Sequence, residues 1–114
     1  MEKALWYLFV GTRGGKNRAR LIDALTERPQ NANQLSEALD LEYNTIRYHL
    51  EKLVDHGIVE TGGDDYGELY FLSDRFEANR NAFERIINQA DLEVAGGKSS
   101  RGEDPTDTET ETPN

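Results

Sequence analysis

One segment limits the possible folds of this chain more than any other: residues 39–60, with the sequence LDLEYNTIRYHLEKLVDHGIVE. Apolar residues recur there at helical spacing, which predicts a helix over about 43–55. Gly57 follows as a left-handed helix stop, and Ile58 can begin a strand. On a helical wheel the apolar residues separate cleanly from a polar and aromatic face. Other elements must therefore cover the apolar side and leave the polar side open.

Two further helices are predicted upstream of this segment. The first begins with Asn17 as its cap and runs to about Glu27, because Pro29 keeps the preceding residue out of helical geometry. The second lies in ANQLSEALD and is capped by Asn31 or Asn33. Only a tight link separates this short helix from the helix at 43–55. The pair therefore predicts a helix-turn-helix unit.

The flanks complete the predicted fold. The run LWYLFV, residues 5–10, favours a buried strand, although a helical turn is possible. The segment IVETGGDDYGELYFL predicts a β-hairpin with a glycine-rich tip, and Ser73 caps a last helix to about Gln89. This order predicts an α+β, mostly α fold: a winged helix-turn-helix with a C-terminal dimerisation helix and a short N-terminal strand.

The composition changes near residue 91. From there the chain is rich in glycine, serine, threonine, proline and acids, and it cannot bury enough apolar surface to fold. We therefore predict a winged helix-turn-helix domain over residues 1–90 and a disordered acidic tail over 91–114. The whole chain carries 22 acidic and 13 basic residues, for a net charge of −9, and arginine outnumbers lysine. This balance favours a protein adapted to high salt.

Several classes of function are disfavoured by the residue types present. The chain has no cysteine, which excludes disulfides and thiolate metal sites and fits a reducing cytoplasm. Its apolar N-terminal run is too short to cross a bilayer, so a soluble intracellular protein with no membrane partner is expected. His49 and His56 are the only histidines. No catalytic constellation surrounds them, and neither enzymatic activity nor a cofactor or metal is expected.

The stretch NANQLSEALDLEYNTIRYHLEKLVDHGIVE resembles the ArsR-like winged-helix regulators, particularly archaeal ones. It carries their T-I/V-x-x-H-L-x-x-L pattern, beginning at Thr45, followed by a G-I/L-V pattern beginning at Gly57. GTRGG before the first helix and YGELYFLSD after the wing tip are also similar. The resemblance covers about residues 5–88 and implies a winged-helix fold that binds DNA. In the family this helix faces its core at the position of His49, so the resemblance implies a structural hydrogen bond for that residue. Asp64 and Asp65 depart from the family pattern, because many DNA-binding wings carry basic residues there.

The expected DNA contacts follow from the fold. A recognition helix enters the major groove with its exposed N-terminal residues. Those expected at base edges and nearby phosphates are Tyr43, Asn44, Thr45, Arg47 and Tyr48. Arg47 can pair with guanine and Asn44 with adenine. Backbone contacts are expected from Gln34, Arg13, Lys16 and Arg18. The alternatives are plain surface positions and, for the basic residues, salt bridges to the protein's own acids.

The expected partners are double-stranded DNA and a second copy of the chain. One winged helix contacts too few base pairs to be selective, so a homodimer is expected. Its predicted interface consists of apolar residues from the N-terminal run and the last helix: Trp6, Leu8, Phe76, Phe83, Ile86 and Ile87. The sequence does not identify an effector. Because a fold does not fix a function, the alternative is a winged-helix module that binds protein in the transcription machinery.

Overall fold

The computed structural model describes residues 1–64 and 67–98. The elements within these ranges are α1 (Glu2–Phe9), α2 (Gly15–Glu27), α3 (Ala32–Leu39), α4 (Tyr43–Asp55), β1 (Val59–Asp64), β2 (Gly67–Leu72), α5 (Asp74–Ala78) and α6 (Arg80–Lys98). The chain divides into two compact units, residues 1–82 and 83–114. In the first unit four helices, α1 to α4, precede the hairpin, and the last three of them followed by the hairpin have the order of a winged helix-turn-helix. None of the described helices is long and apolar enough to span a membrane.

The N-terminal run is a helix, and the predicted N-terminal strand was wrong. In α1 the buried residues Leu5, Leu8 and Phe9 follow one another at steps of three and one, so they share one helical face. This face packs against α2, whereas the sheet of the described residues has two strands, β1 and β2. The strand prediction failed because a short apolar run carries too little periodicity to distinguish a strand from a helix.

The starts of α2 and α3 are fixed in different ways. The N-cap of α2 is Gly14 rather than the predicted Asn17, and no side chain caps this helix. The close approach of α1 demands a glycine at the next position, because a Cβ on Gly15 would overlap the Phe9 carbonyl oxygen. In contrast, α3 begins with a capping box. The Gln34 amide donates to the Asn31 side chain, and the Asn31 amide donates to the Gln34 side chain, both at 2.8 Å.

The helix α4 has the predicted bounds, and its end is tied to the next elements. Gly57 has a φ of 75°, the left-handed conformation that favours glycine. The Ser73 hydroxyl donates to the Gly57 carbonyl at 2.7 Å and accepts from the Phe76 amide at 3.0 Å. A buried serine therefore joins the end of α4 to the start of α5. These bonds satisfy groups that both helix termini would otherwise leave unpaired.

The wing is an antiparallel hairpin in which Val59 pairs with Leu72 and Thr61 with Tyr70. The wing is also bonded to the link between α2 and α3. Gln30 and Tyr70 exchange backbone bonds of 3.1 and 2.8 Å, and the Gln30 side chain donates to the Ala24 carbonyl at 2.9 Å. The base of the wing is therefore fixed relative to the helices. The acidic tip predicted at Asp64 and Asp65 falls outside the described side chains.

The predicted single helix after Ser73 is two helices, α5 and α6. The break is at Asn79, whose amide side chain donates to the Arg75 carbonyl at 2.8 Å and ends α5. Asparagine often competes with helical bonding in this way. The helix α6 then continues to Lys98, past the boundary that composition placed at residue 91. The rest of the predicted tail, residues 99–114, lies outside the described residues.

Candidate nucleic-acid interface

The turn between α3 and α4 is rigidly defined. Asp40 adopts the left-handed conformation with a φ of 55°, and the Leu41 amide donates to the Ser36 carbonyl at 3.1 Å. The Ser36 hydroxyl in turn donates to the Leu41 carbonyl, which closes the turn from both sides. From α2, Arg20 donates to the Leu39 carbonyl at 2.8 Å. These bonds fix the orientation of α4 relative to α3.

One side of α4 is buried and the other is open. Ile46, His49, Leu50 and Leu53 form the buried side. The predicted DNA-contacting residues all keep some exposure in the N-terminal half of α4. Tyr43, Asn44 and Tyr48 are exposed, and Thr45 and Arg47 are half-buried. The tyrosines are 42% and 53% exposed, which is high for large aromatic side chains. The helix therefore presents aromatic and hydrogen-bonding groups to solvent.

Arg47 lies along the surface of its own helix. Its Nη1 donates to the Tyr43 hydroxyl at 3.3 Å, and its guanidinium carbon is 6.0 Å from the centre of that ring. Its Nη2 is 3.5 Å from the Glu51 carboxylate. The hydrogen bond to Tyr43 raises the pKa of Arg47, which keeps the group charged. Because the ion pair is exposed and contributes little free energy, Arg47 can exchange it for another acceptor.

Arg18, one of the predicted phosphate contacts, has a side chain that is only 3% exposed. Its Nε donates to His49 Nδ1 at 3.2 Å, and its Nη1 donates to the Leu8 carbonyl at 3.0 Å and the Thr12 hydroxyl at 2.8 Å. Arg18 therefore joins α1, the following loop, α2 and α4. The sequence reasoning counted its charge and missed that it lies on the buried face of α2.

His49 has the structural hydrogen bond predicted for it. Its ring is 5% exposed, and Nδ1 accepts from Arg18. Since an accepting Nδ1 carries no proton, the proton of the neutral ring is on Nε2. Burial, followed by the charge of Arg18, lowers the pKa of His49. No group of three or more histidine, cysteine or acidic residues suited to a metal occurs in the described part of the chain.

The other predicted phosphate contacts are exposed. Arg13 and Lys16 flank the start of α2, and Gln34 lies in the first turn of α3, where its side-chain oxygen is already used in the capping box. Sequence reasoning missed Lys52, whose Nζ is 5.8 Å from the centre of the Tyr48 ring. The four-residue spacing of these two side chains on one helix was a signal for this contact.

Four of the six residues of the predicted dimer interface are buried. Leu8 and Phe76 are fully buried, and Phe83 and Ile86 are 6% and 1% exposed. Their burial leaves little side-chain area to offer a second copy. The remaining two residues, Trp6 and Ile87, are half-buried. The sequence identified the apolar stripes, but it could not show how much of each stripe is covered inside the protomer.

Known proteins are similar to this chain in fold. Residues 16–62, from α2 to the wing, match a helix-turn-helix domain family. The homodimeric winged helix-turn-helix DNA-binding domain from Mycobacterium bovis is 16% identical, with a TM-score of 0.63 and coverage of 81% of this chain and 82% of that chain. HlyU from Vibrio cholerae is 19% identical, with a TM-score of 0.56 and coverage of 80% and 90%.

A MarR transcriptional regulator from Methanosarcina mazei has a TM-score of 0.61 at 18% identity, covering 85% of this chain and 72% of that chain. The comparison with curated proteins gave no match. At these identities the structural neighbours establish the fold. The first compact unit, with its wing formed by β1 and β2, is a winged helix-turn-helix domain.

Proposed function

We propose that this protein is a sequence-specific, DNA-binding transcriptional regulator that reads the major groove with α4. One observation carries the proposal: the N-terminal half of α4 exposes Tyr43, Asn44 and Tyr48 beside Arg47, while the opposite side is buried. A recognition helix presents its residues in this way. The match of residues 16–62 to a helix-turn-helix domain family and the regulators among the structural neighbours support the same function.

Arg47 and Asn44 are the residues proposed to read bases. Arginine pairs bidentately with guanine and asparagine with adenine in the major groove. In the free protein the exposed partners of Arg47, Tyr43 and Glu51, lie on the same helix. Binding to guanine therefore requires only a local side-chain movement. Lys16 and Arg13, at the start of α2, are proposed to contact phosphates, which fix position but do not select sequence.

We propose that the protein works as a homodimer, as its neighbour from Mycobacterium bovis does by description. Two half-sites would supply the selectivity that a single module lacks. The outer side of α1 supports this proposal, because Tyr7 and Val10 are 47% and 36% exposed next to the half-buried Trp6. These residues retain apolar area that a partner can cover.

The acidic composition is compatible with DNA binding in a salty, archaeal-type cytoplasm, which we propose as the setting. The Debye length falls to about 3 Å in 1 M salt, so distant acidic residues then repel DNA little. Contacts at hydrogen-bonding distance persist. The same screening weakens phosphate attraction, so such a protein depends on base contacts and dimerisation. With a net charge of −9, it is expected to bind DNA selectively rather than tightly at random.

The test begins with selection of duplexes from a random pool in molar salt, followed by competition binding with three variants. Arg47→Ala is expected to weaken binding to the selected duplex by about 1–3 kcal/mol and to weaken binding to random DNA much less. Lys16→Ala should weaken binding to selected and random DNA by a similar factor. It should also reduce the slope of log affinity against log salt concentration by about one unit. Arg75→Ala is the matched control, because this exposed arginine lies near Gly57, at the opposite end of α4.

Two results would count against the proposal. If no sequence is enriched at any salt concentration, the acidic module that binds protein becomes the better explanation. If Arg47→Ala weakens selected and random duplexes equally, Arg47 contacts phosphate, and α4 is docked differently from the proposed arrangement.

A further inference from the structure

A cleft of about 360 Å³ lies beside the recognition helix, between the start of α2 and α4. It is lined by Thr12, Arg13, Gly14, Asn17, Arg18, Tyr48 and His49. Two of these residues are arginines and none is a carboxylate, although the chain has 22 acidic residues and 13 basic ones. A lining of this kind favours a negatively charged occupant.

Two buried side chains bring unused hydrogen-bond donors to the cleft. Arg18 is 3% exposed and uses Nε and Nη1, but no acceptor among the described residues bonds its Nη2. His49 is 5% exposed, and its Nδ1 accepts from Arg18, so the neutral ring carries its proton on Nε2. Within the described ranges Nε2 has no acceptor either. Neither donor atom is sealed from solvent, so both can donate to an acceptor that enters the cleft.

The start of α2 borders the same cleft through Gly14 and Asn17. Its N-cap is Gly14, and no side chain caps the helix, so the amides of Lys16 and Asn17 have no side-chain acceptor. First-turn amides without a side-chain acceptor and the helix dipole together favour an anion. Gly14 also keeps the space open, because a Cβ there would lie 2.7 Å from His49 Cε1 and 2.8 Å from Arg18 Nη2.

We propose that this cleft is a phosphate-binding site, held by Arg18 Nη2, His49 Nε2 and the first amides of α2. Tyr48 borders the cleft and follows the proposed base reader Asn44 by four residues, or about one helical turn. A DNA phosphodiester next to the groove is therefore the source that the position favours, and this assignment rests on the proposed function. A free phosphate has the same chemistry and is the other source.

The test follows amide and ring resonances by NMR in the full chain, first with inorganic phosphate and then with a selected duplex. Phosphate is expected to shift the amides of Lys16 and Asn17 and the ring protons of His49 in a saturable manner. Asn17→Asp places a carboxylate at the cleft. It should weaken phosphate binding about tenfold or more, because the negative carboxylate repels the phosphate and competes with it for the hydrogen-bond donors. Asn81→Asp, an exposed position on α6, is the control of equal charge.

A second variant fills the cleft without adding charge. Gly14→Ala should also abolish the phosphate shifts, with circular dichroism reporting whether the domain remains folded. If Gly14→Ala unfolds the domain, the test depends on Asn17→Asp alone. The aspartate side chain has the same shape as that of asparagine and can still accept a hydrogen bond from Arg20, so this variant is expected to fold.

The outcomes separate this site from the proposed function. Shifts at the cleft with both phosphate and duplex support the phosphodiester source. Shifts with phosphate, but none with a duplex that is bound, support a free phosphate. Shifts with phosphate and no binding of any duplex support the cleft while refuting the proposed function. A duplex that binds while neither ligand moves the cleft resonances would overturn the site and leave the function standing.

Discussion

Replacing the buried Arg18 tests how the domain is held together. Arg18→Met retains much of the apolar stem and removes the guanidinium group. Its bonds to His49 Nδ1, the Leu8 carbonyl and the Thr12 hydroxyl are then lost. The first two acceptors are buried, and each buried acceptor left without a donor costs about 1–3 kcal/mol. The two together therefore cost about 2–6 kcal/mol.

An opposing effect reduces this cost. None of the three acceptors of Arg18 is a carboxylate, so the folded protein buries a cation against neutral groups. Removing a buried charge recovers part of its desolvation penalty. Because the side chain also borders an open cleft, this recovery is partial. We therefore expect a net loss of about 2–4 kcal/mol, a large part of the ~5–15 kcal/mol that stabilises a typical domain.

The assay is chemical and thermal unfolding, followed by far-ultraviolet circular dichroism and by the fluorescence of Trp6, the single tryptophan. A loss of this size should lower the melting temperature by about 10–25 °C in a domain of this length. Arg18→Lys keeps the charge but not the branched donor geometry, and it should not restore stability. Arg13→Met is the control, because Arg13 is exposed and a change there should cost less than about 0.5 kcal/mol. If Arg18→Met costs no more than this control, the proposed role of the buried arginine is wrong.

Burial and the charge of Arg18 lower the pKa of His49 from its usual 6.5, so the unfolded chain gains the proton first and stability falls as the pH drops below 6.5. His49→Gln should reduce this loss of stability, measured as the free energy of unfolding at a series of pH values. An equally steep loss in the variant would show that His49 is not the group responsible. Gly57→Ala, at a φ of 75°, should cost about 1–2 kcal/mol in denaturant unfolding, and no measurable cost would show that the helix end relaxes freely. A chain ending at Lys98 should keep its melting temperature within a few degrees, because the composition after it favours disorder; a large drop would mean that the segment packs.

The candidate site was only partly predictable. The solvent-facing set around Arg47 follows from one helical wheel, since residues on one helix keep fixed angular relations. Arg18 could not be assigned in this way. Its bond to His49 joins residues 31 positions apart, and no local pattern distinguishes an arginine that enters the core from one that meets solvent. The cleft beside Arg18 was missed for the same reason, because it combines α2, a loop and α4.

The sequence by itself determined the local features of this protein. The bounds of α4, the Asn31 cap, the left-handed Gly57 and the Ser73 cap each depend on residues within about one turn of the chain. Tertiary structure decided the rest. The run at residues 5–10 is helical because α2 offers it a helical partner, and the apolar residues Leu8 and Phe76 are covered within the protomer. Packing between distant segments sets these outcomes, and it depends on surfaces that exist only after the chain has folded.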